Sequence, residues 1–174
     1  VFFQERDVGK YKVDVLKNHI EKLNSNCDVS VFKNKSWEIE FYRYKSELIL
    51  DCSDNLRTKY SLNEECVNNN VGFCSASVSD SDGQIALFSN KPESHCCYNC
   101  LFPKNGDIDA NDCAESGVLG PTVMLVASLQ TLIAMKYLLN KFTDTETIYR
   151  VSSRNISVKK NKILSNSSCR LNKL

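Results

Sequence analysis

Glycine and proline are scarce, 6 and 3 in 174 residues, and no Gly/Ser-rich stretch joins one part of the chain to another. A string of modules on flexible tethers is therefore excluded. At this length one domain with a real core is expected, and two are not. Charge of one sign is not in excess either. A formal net charge of +1 gives no global pull towards nucleic acid or an anionic membrane surface, so neither partner is expected. No internal repeat and no export signal is visible. The first residue is Val1 rather than Met, which points to a beginning upstream of it.

Cysteine is what the chain has in plenty. There are 9, an odd number at irregular spacings, and without an export signal they read as thiols in a reducing, cytoplasmic setting rather than a disulfide framework. Cys27, Cys52, Cys66 and Cys74 lie in or beside apolar segments and read as small buried hydrophobes. Cys97-Tyr98-Asn99-Cys100 is a Cys-x-x-Cys pair, close enough for both sulfurs to grip one metal ion. Cys113 stands in a polar loop between Asp112 and Glu115, whose charges raise a thiol pKa rather than lower it.

The periodicities give an α/β chain. Val13, Leu16, Ile20 and Leu23 recur as on a helix, and Asn24-Ser25-Asn26 stops it. Cys27 to Phe32 alternates as a strand does. Ser46 to Cys52 carries a short apolar run that reads as a buried parallel strand ending in the Ser53-Asp54-Asn55 loop, where Asp54 is a candidate helix cap. A helix over 56–70 and strands over 71–76 and 83–88 follow. Pro121 opens a long helix running to about Lys141, apolar on nearly every face. Its length is near the roughly 20 residues that span a bilayer. Ser128, Gln130, Thr131 and especially Lys136 interrupt it, so it reads as a buried core or subunit-interface helix.

Several runs in one order resemble the ThiF/MoeB-type adenylating family, which activates ubiquitin-like sulfur carriers. They are VGKYKV, LILDCSDN, Gly83-Gln84, CYNCLFP, NDCAESGVLGP and SLQTLIAMKYLL. The resemblance implies a Rossmann-like, mostly parallel sheet with helices on both faces and a zinc-knuckle-like C-terminal tail. Residues 1–174 would form a single adenylation domain lacking the N-terminal third of the family's fold. No Gly-x-Gly-x-x-Gly loop, whose N–H groups reach phosphates at a helix N-terminus, occurs in the sequence. The fragment alone is therefore expected to be inactive.

By the same resemblance, Lys12 contacts the ATP phosphates, and Asp54, with Asn55 beside it, sits at magnesium and the reacting phosphate. Where the family usually has an arginine, five residues after that aspartate, this chain has Lys59. Cys113 matches the reactive cysteine. Cys97 and Cys100 match the first zinc pair, and Cys169 stands where the second pair falls, in a Cys-x-x-Asn run; Cys96 and His95 are candidates for the fourth ligand. The implied function is ATP-dependent adenylylation of the C-terminal Gly-Gly carboxylate of a small sulfur-carrier protein, for thiamine, molybdopterin or tRNA thiolation, by a homodimer. A non-catalytic or degenerate partner-binding subunit of the same fold is the alternative, favoured by the absent glycine loop and fourth ligand.

Overall fold

The computed structural model describes residues 2–91, 94, 96–104, 117–141, 145–166, 169 and 171. The chain divides into two compact units, Val1–Ile39 and Glu40–Leu174.

In the first unit, helix α1 covers Lys12–Leu23, as its apolar period predicts. Asp14 in its first turn pairs with Lys33 at 2.8 Å, and the Lys33 ammonium lies 4.6 Å from the centre of the Tyr11 ring. The strand expected over 27–32 does not form. Alternation marks a strand only where a neighbouring strand takes up the backbone groups. Here Asn24 turns the chain instead, its carboxamide accepting from the Asn26 N–H at 3.0 Å and its carbonyl from Cys27.

The second unit is built on five strands: β1 (Leu48–Asp51), β2 (Gly72–Ser79), β3 (Asp82–Phe88), β4 (Thr147–Ser152) and β5 (Ser157–Lys162). They lie side by side in that order. Helix α2 (Leu56–Asn69) connects β1 to β2, which are parallel. The other three pairs are antiparallel, so the sheet is mixed where the sequence led us to expect mostly parallel pairing. Connection length is the physical reason. Only Asp80 and Ser81 separate β2 from β3, and a parallel pair needs a crossover of a dozen residues or more. Asp80 takes φ of 52° at that turn, a conformation Asp tolerates.

Helices cover both faces, as expected. On one, α2 and the short α3 (Tyr98–Leu101) bury Phe73, Phe88, Ile148 and Ile163 with Leu62, Cys66 and Tyr98. On the other, α4 (Gly120–Leu138) packs on Cys74, Ile85, Leu87 and Val151. Gly83 marks the tightest approach there, because a Cβ would run into the Val126 methyl of α4.

One expectation about burial needs correcting, and another is narrowed. Cys66 and Cys74 are buried, but Cys27 and Cys52 are exposed, one on the strandless segment and one just past the end of β1. α4 is not a fully buried helix: Thr122, Val126, Gln130, Ile133 and Ala134 form its one buried stripe, while Met124 is 67% and Met135 55% exposed. The sheet covers only one side of it. α4 is long and apolar enough to cross a membrane. Its buried Gln130, however, is tied to the sheet, donating to the Asp51 and Cys74 carbonyls at 3.1 and 3.0 Å.

The polar C-terminal segment begins with β5 and is held beyond it. The Ile163 side chain enters the core and its N–H meets the Glu146 carbonyl at 2.7 Å.

Candidate active site

β1 ends on Asp51, and the chain turns through Cys52, Ser53 and Asp54 into α2. Asn55, not Asp54, caps that helix: its carboxamide oxygen accepts the Thr58 N–H at 2.9 Å. Asp54 is thereby left exposed on the loop, where among the described residues it accepts a hydrogen bond from the Asn55 amide at 3.4 Å. Both residues line the mouth of a cavity of about 870 Å³ on the α2–α3 face of the sheet. Tyr60, Tyr98, Leu101 and Phe102 give it an apolar wall, and Ser77, Gln84 and Arg150 belong to its floor. A hydrogen bond of 3.1 Å from the Tyr60 hydroxyl to the Phe102 carbonyl ties α2 to the end of α3.

Beneath the Asp54 loop lies a buried polar cluster that the sequence reading missed. Asp51 is 1% exposed and Lys59 4%, and their charged ends are 2.7 Å apart. The same Asp51 oxygen accepts from Ser75 Oγ at 2.7 Å; the other accepts from Ser53 N–H and Oγ at 3.0 and 2.6 Å. The ammonium also donates to the Ala76 carbonyl at 3.0 Å. Two buried charges are tolerable only when paired and hydrogen-bonded like this. The residue that departs from the family's usual arginine is therefore spent on holding the end of β1 to β2 and α2. Only the spacing of an aspartate at a strand end and a lysine one turn into the next helix hinted at it.

Lys12 is the first residue of α1, exposed, in the other unit. A cation at a helix N-terminus opposes the helix dipole, so nothing local favours it there. Cys113 lies outside the described residues.

The cysteines of the Cys-x-x-Cys pair are brought to the third. Sγ of Cys97 is 3.9 Å from that of Cys100 and 3.6 Å from that of Cys169, and all three lie within 4.8 Å of one another. Those separations are too long for a disulfide. Four sulfurs at about 2.3 Å around a tetrahedral ion would stand roughly 3.8 Å apart, so the donor set fits one. Several contacts bring the three together. Asn63 Oδ1 of α2 accepts the Tyr98 N–H at 2.9 Å, and Glu146 accepts from Ser89 and Ser94 hydroxyls, both at 2.9 Å, fixing the approach to Cys96. Burial, and then the neighbouring Cys100 and Cys169 sulfurs, push the Cys97 thiol up to about 12. Three thiolates here need a cation to offset them. Cys96 points away, its Sγ 3.6 Å from the Ile163 carbonyl; His95 and Asn172 lie outside the described residues.

The model of the ThiF family matches residues 1–171. The chain belongs to the ThiF family. It is 35% identical over 142 residues to the adenylyltransferase and sulfurtransferase MOCS3 of Caenorhabditis briggsae, covering 78% of this chain and 34% of that one. To the sulfur carrier protein ThiS adenylyltransferase of Escherichia coli it is 29% identical over 140 residues, covering 79% of this chain and 55% of that one. The chain thus spans about a third to a half of such relatives. In fold it is similar to Escherichia coli MccB crystallised with AMPCPP and MccA, with a TM-score of 0.76, 19% identity, and coverage of 99% of this chain and 54% of MccB.

Proposed function

We propose that this ThiF-family protein adenylylates the C-terminal Gly-Gly carboxylate of a small ubiquitin-like sulfur carrier. The observation that carries the reading is the Asp54–Asn55 loop, displayed by the α2 cap at the mouth of a cavity roomy enough for a peptide tail. ATP is the co-substrate: the carrier carboxylate attacks its α-phosphorus, and pyrophosphate leaves. An exposed carboxylate beside a capped helix start suits a hydrated magnesium ion, which binds through one or two carboxylates and substrate phosphates. Magnesium, when bound, neutralises charge on the phosphates. Lys12 adds positive charge to them, and the buried Asp51–Lys59 pair keeps the Asp54 loop in place. The chemistry is positioning and electrostatics, with little acid–base work by the protein. Carrier-dependent exchange of labelled pyrophosphate into ATP, with the rest of the family's fold present, is the direct test, and a protein that hydrolyses or binds ATP without such exchange refutes it.

Cys113 is assigned the next step. Its thiolate attacks the acyl carbon of the acyl adenylate, forming a thioester and releasing AMP.

Zinc is proposed as the ion held by Cys97, Cys100 and Cys169, tying the C-terminal tail to α3. Purified protein is expected to hold close to one zinc per chain, and Cys97→Ser to lose most of it. Equal zinc in both, by elemental analysis, removes these residues from the site.

The active form is proposed to be a homodimer in the cytoplasm. No disulfide joins the described cysteines, which suits a reducing compartment, and the exposed apolar side of α4 suits a subunit contact. Replacing Met124 and Met135 together with glutamate is expected to convert a dimer to monomers in sedimentation. An unchanged dimer places the contact elsewhere.

A further inference from the structure

The cavity floor carries a charge arrangement that adenylylation alone does not use. Ser77, Gln84, Arg150 and Lys159 stand in one cross-strand row, from β2 to β5, through the register pairs Ser77↔Gln84, Gln84↔Arg150 and Arg150↔Lys159. All four line the cavity. Residues directly opposite share a face, so the guanidinium and ammonium stems of Arg150 and Lys159 are side by side. Like charges so placed are destabilising. Among the described residues neither makes an ion pair or a side-chain hydrogen bond. Among the described residues the acids lining the cavity are Asp54, at the opposite end, and Asp82, opposite Ser152 and so only diagonal to Arg150. The floor is thus graded from acidic at the Asp54 loop to cationic at β4 and β5, beneath an apolar wall.

We propose that Arg150 and Lys159 read an acidic side chain in the carrier tail, upstream of its terminal Gly-Gly. The inference rests on the tail lying in this cavity with its carboxylate towards Asp54. Neighbouring strands are about 4.8 Å apart, which places β4 roughly 14 Å and β5 roughly 19 Å from the Asp54 loop at β1. An extended peptide advances about 3.3 Å per residue. The residue facing the two cations is therefore about four to six positions before the terminal carboxylate. The Gln84 side chain, between the two ends, can bond the peptide backbone. A nucleotide phosphate is the other source of an anion, but it belongs with the magnesium end of the floor.

The test uses two fluorescein-labelled peptides of about ten residues ending in Gly-Gly, one with Glu about five positions before the end and its twin with Gln there. Binding to the protein is followed by anisotropy up to millimolar concentrations. The Glu peptide is expected to bind about three- to tenfold more tightly at low salt, as one or two partly exposed ion pairs allow, with the advantage shrinking as salt rises. Arg150→Gln with Lys159→Gln should remove that advantage and leave the Gln peptide unchanged. Arg150→Glu with Lys159→Glu should turn it in favour of a Lys peptide. Equal binding of the Glu and Gln peptides overturns this inference and leaves the adenylylation reading intact. Failure of both peptides to bind removes the tail-in-cavity reading and this inference together. Weakened binding of magnesium pyrophosphate by the Gln variants, with the Glu preference intact, assigns the cations to phosphate and also overturns it.

Discussion

With the rest of the family's fold present, Asp54→Ala is expected to abolish carrier-dependent pyrophosphate exchange, and Cys113→Ala to leave it largely intact. Forming the acyl adenylate requires the carrier carboxylate, ATP, magnesium and the groups that position them. None of these is a thiol. Asp54 is exposed at the cavity and, among the described residues, bonds only the neighbouring Asn55 amide, so its loss damages function with little loss of structural contact. A fall of exchange on the order of a hundredfold or more is anticipated, the scale on which single electrostatic contacts to a transition state act. Capture of the activated carboxyl does need a nucleophilic sulfur. Cys113→Ala should therefore eliminate any carrier adduct on a gel run without thiol, while exchange proceeds. If Cys113→Ala stops exchange as completely as Asp54→Ala, the two steps are not divided in this way.

Lys59→Met is expected to lower stability by about 3–5 kcal/mol, the usual consequence of leaving one member of a buried ion pair alone. The loss comes from Asp51, which would keep its Ser75 and Ser53 hydrogen bonds but have no cation. Adding Asp51→Asn should recover part of it, so the double variant is more stable than the sum of the single effects predicts. Lys59→Arg should be milder, because a guanidinium can still reach the carboxylate and the Ala76 carbonyl. Urea unfolding at unchanged m value reads the wild type, Lys59→Met, Asp51→Asn, their double variant and Lys59→Arg. A loss below about 1 kcal/mol in Lys59→Met, the level of an exposed pair, means that the pair is far better solvated than its burial indicates.

How far the sequence was legible follows from the range of the forces involved. α1, α2 and the start of α4 were readable because helix periodicity and a proline in the first turn act within a few residues, although the cap of α2 fell on Asn55 and not on Asp54. The grouping of Cys97, Cys100 and Cys169 was readable through the family resemblance, since the tail's return to α3 depends on the path of β4 and β5. Those two strands were harder. SVKKNK has hardly an apolar residue, and it forms β5 because β4 supplies a ladder, not because of its own pattern. The alternating segment at 27–32 failed for the converse reason, having a pattern and no ladder. The Asp51–Lys59 pair and the Arg150–Lys159 row are tertiary and cross-strand facts. They join residues whose neighbours in sequence say nothing of them.

Gly83 and Val126 carry a consequence for how this sequence can change over time. The space a Cβ would need at position 83 is filled by a methyl group of position 126, so the two sites do not drift independently. A side chain at 83 becomes acceptable only after 126 has become smaller. A smaller residue at 126 alone leaves a void between α4 and β3. Each single step is therefore a loss, and the neutral route passes through both. Homologous chains are expected to hold the glycine with a branched residue opposite it, or to have exchanged the pair together, and the Gln84 that follows is kept in its place on the cavity floor by whichever solution they hold.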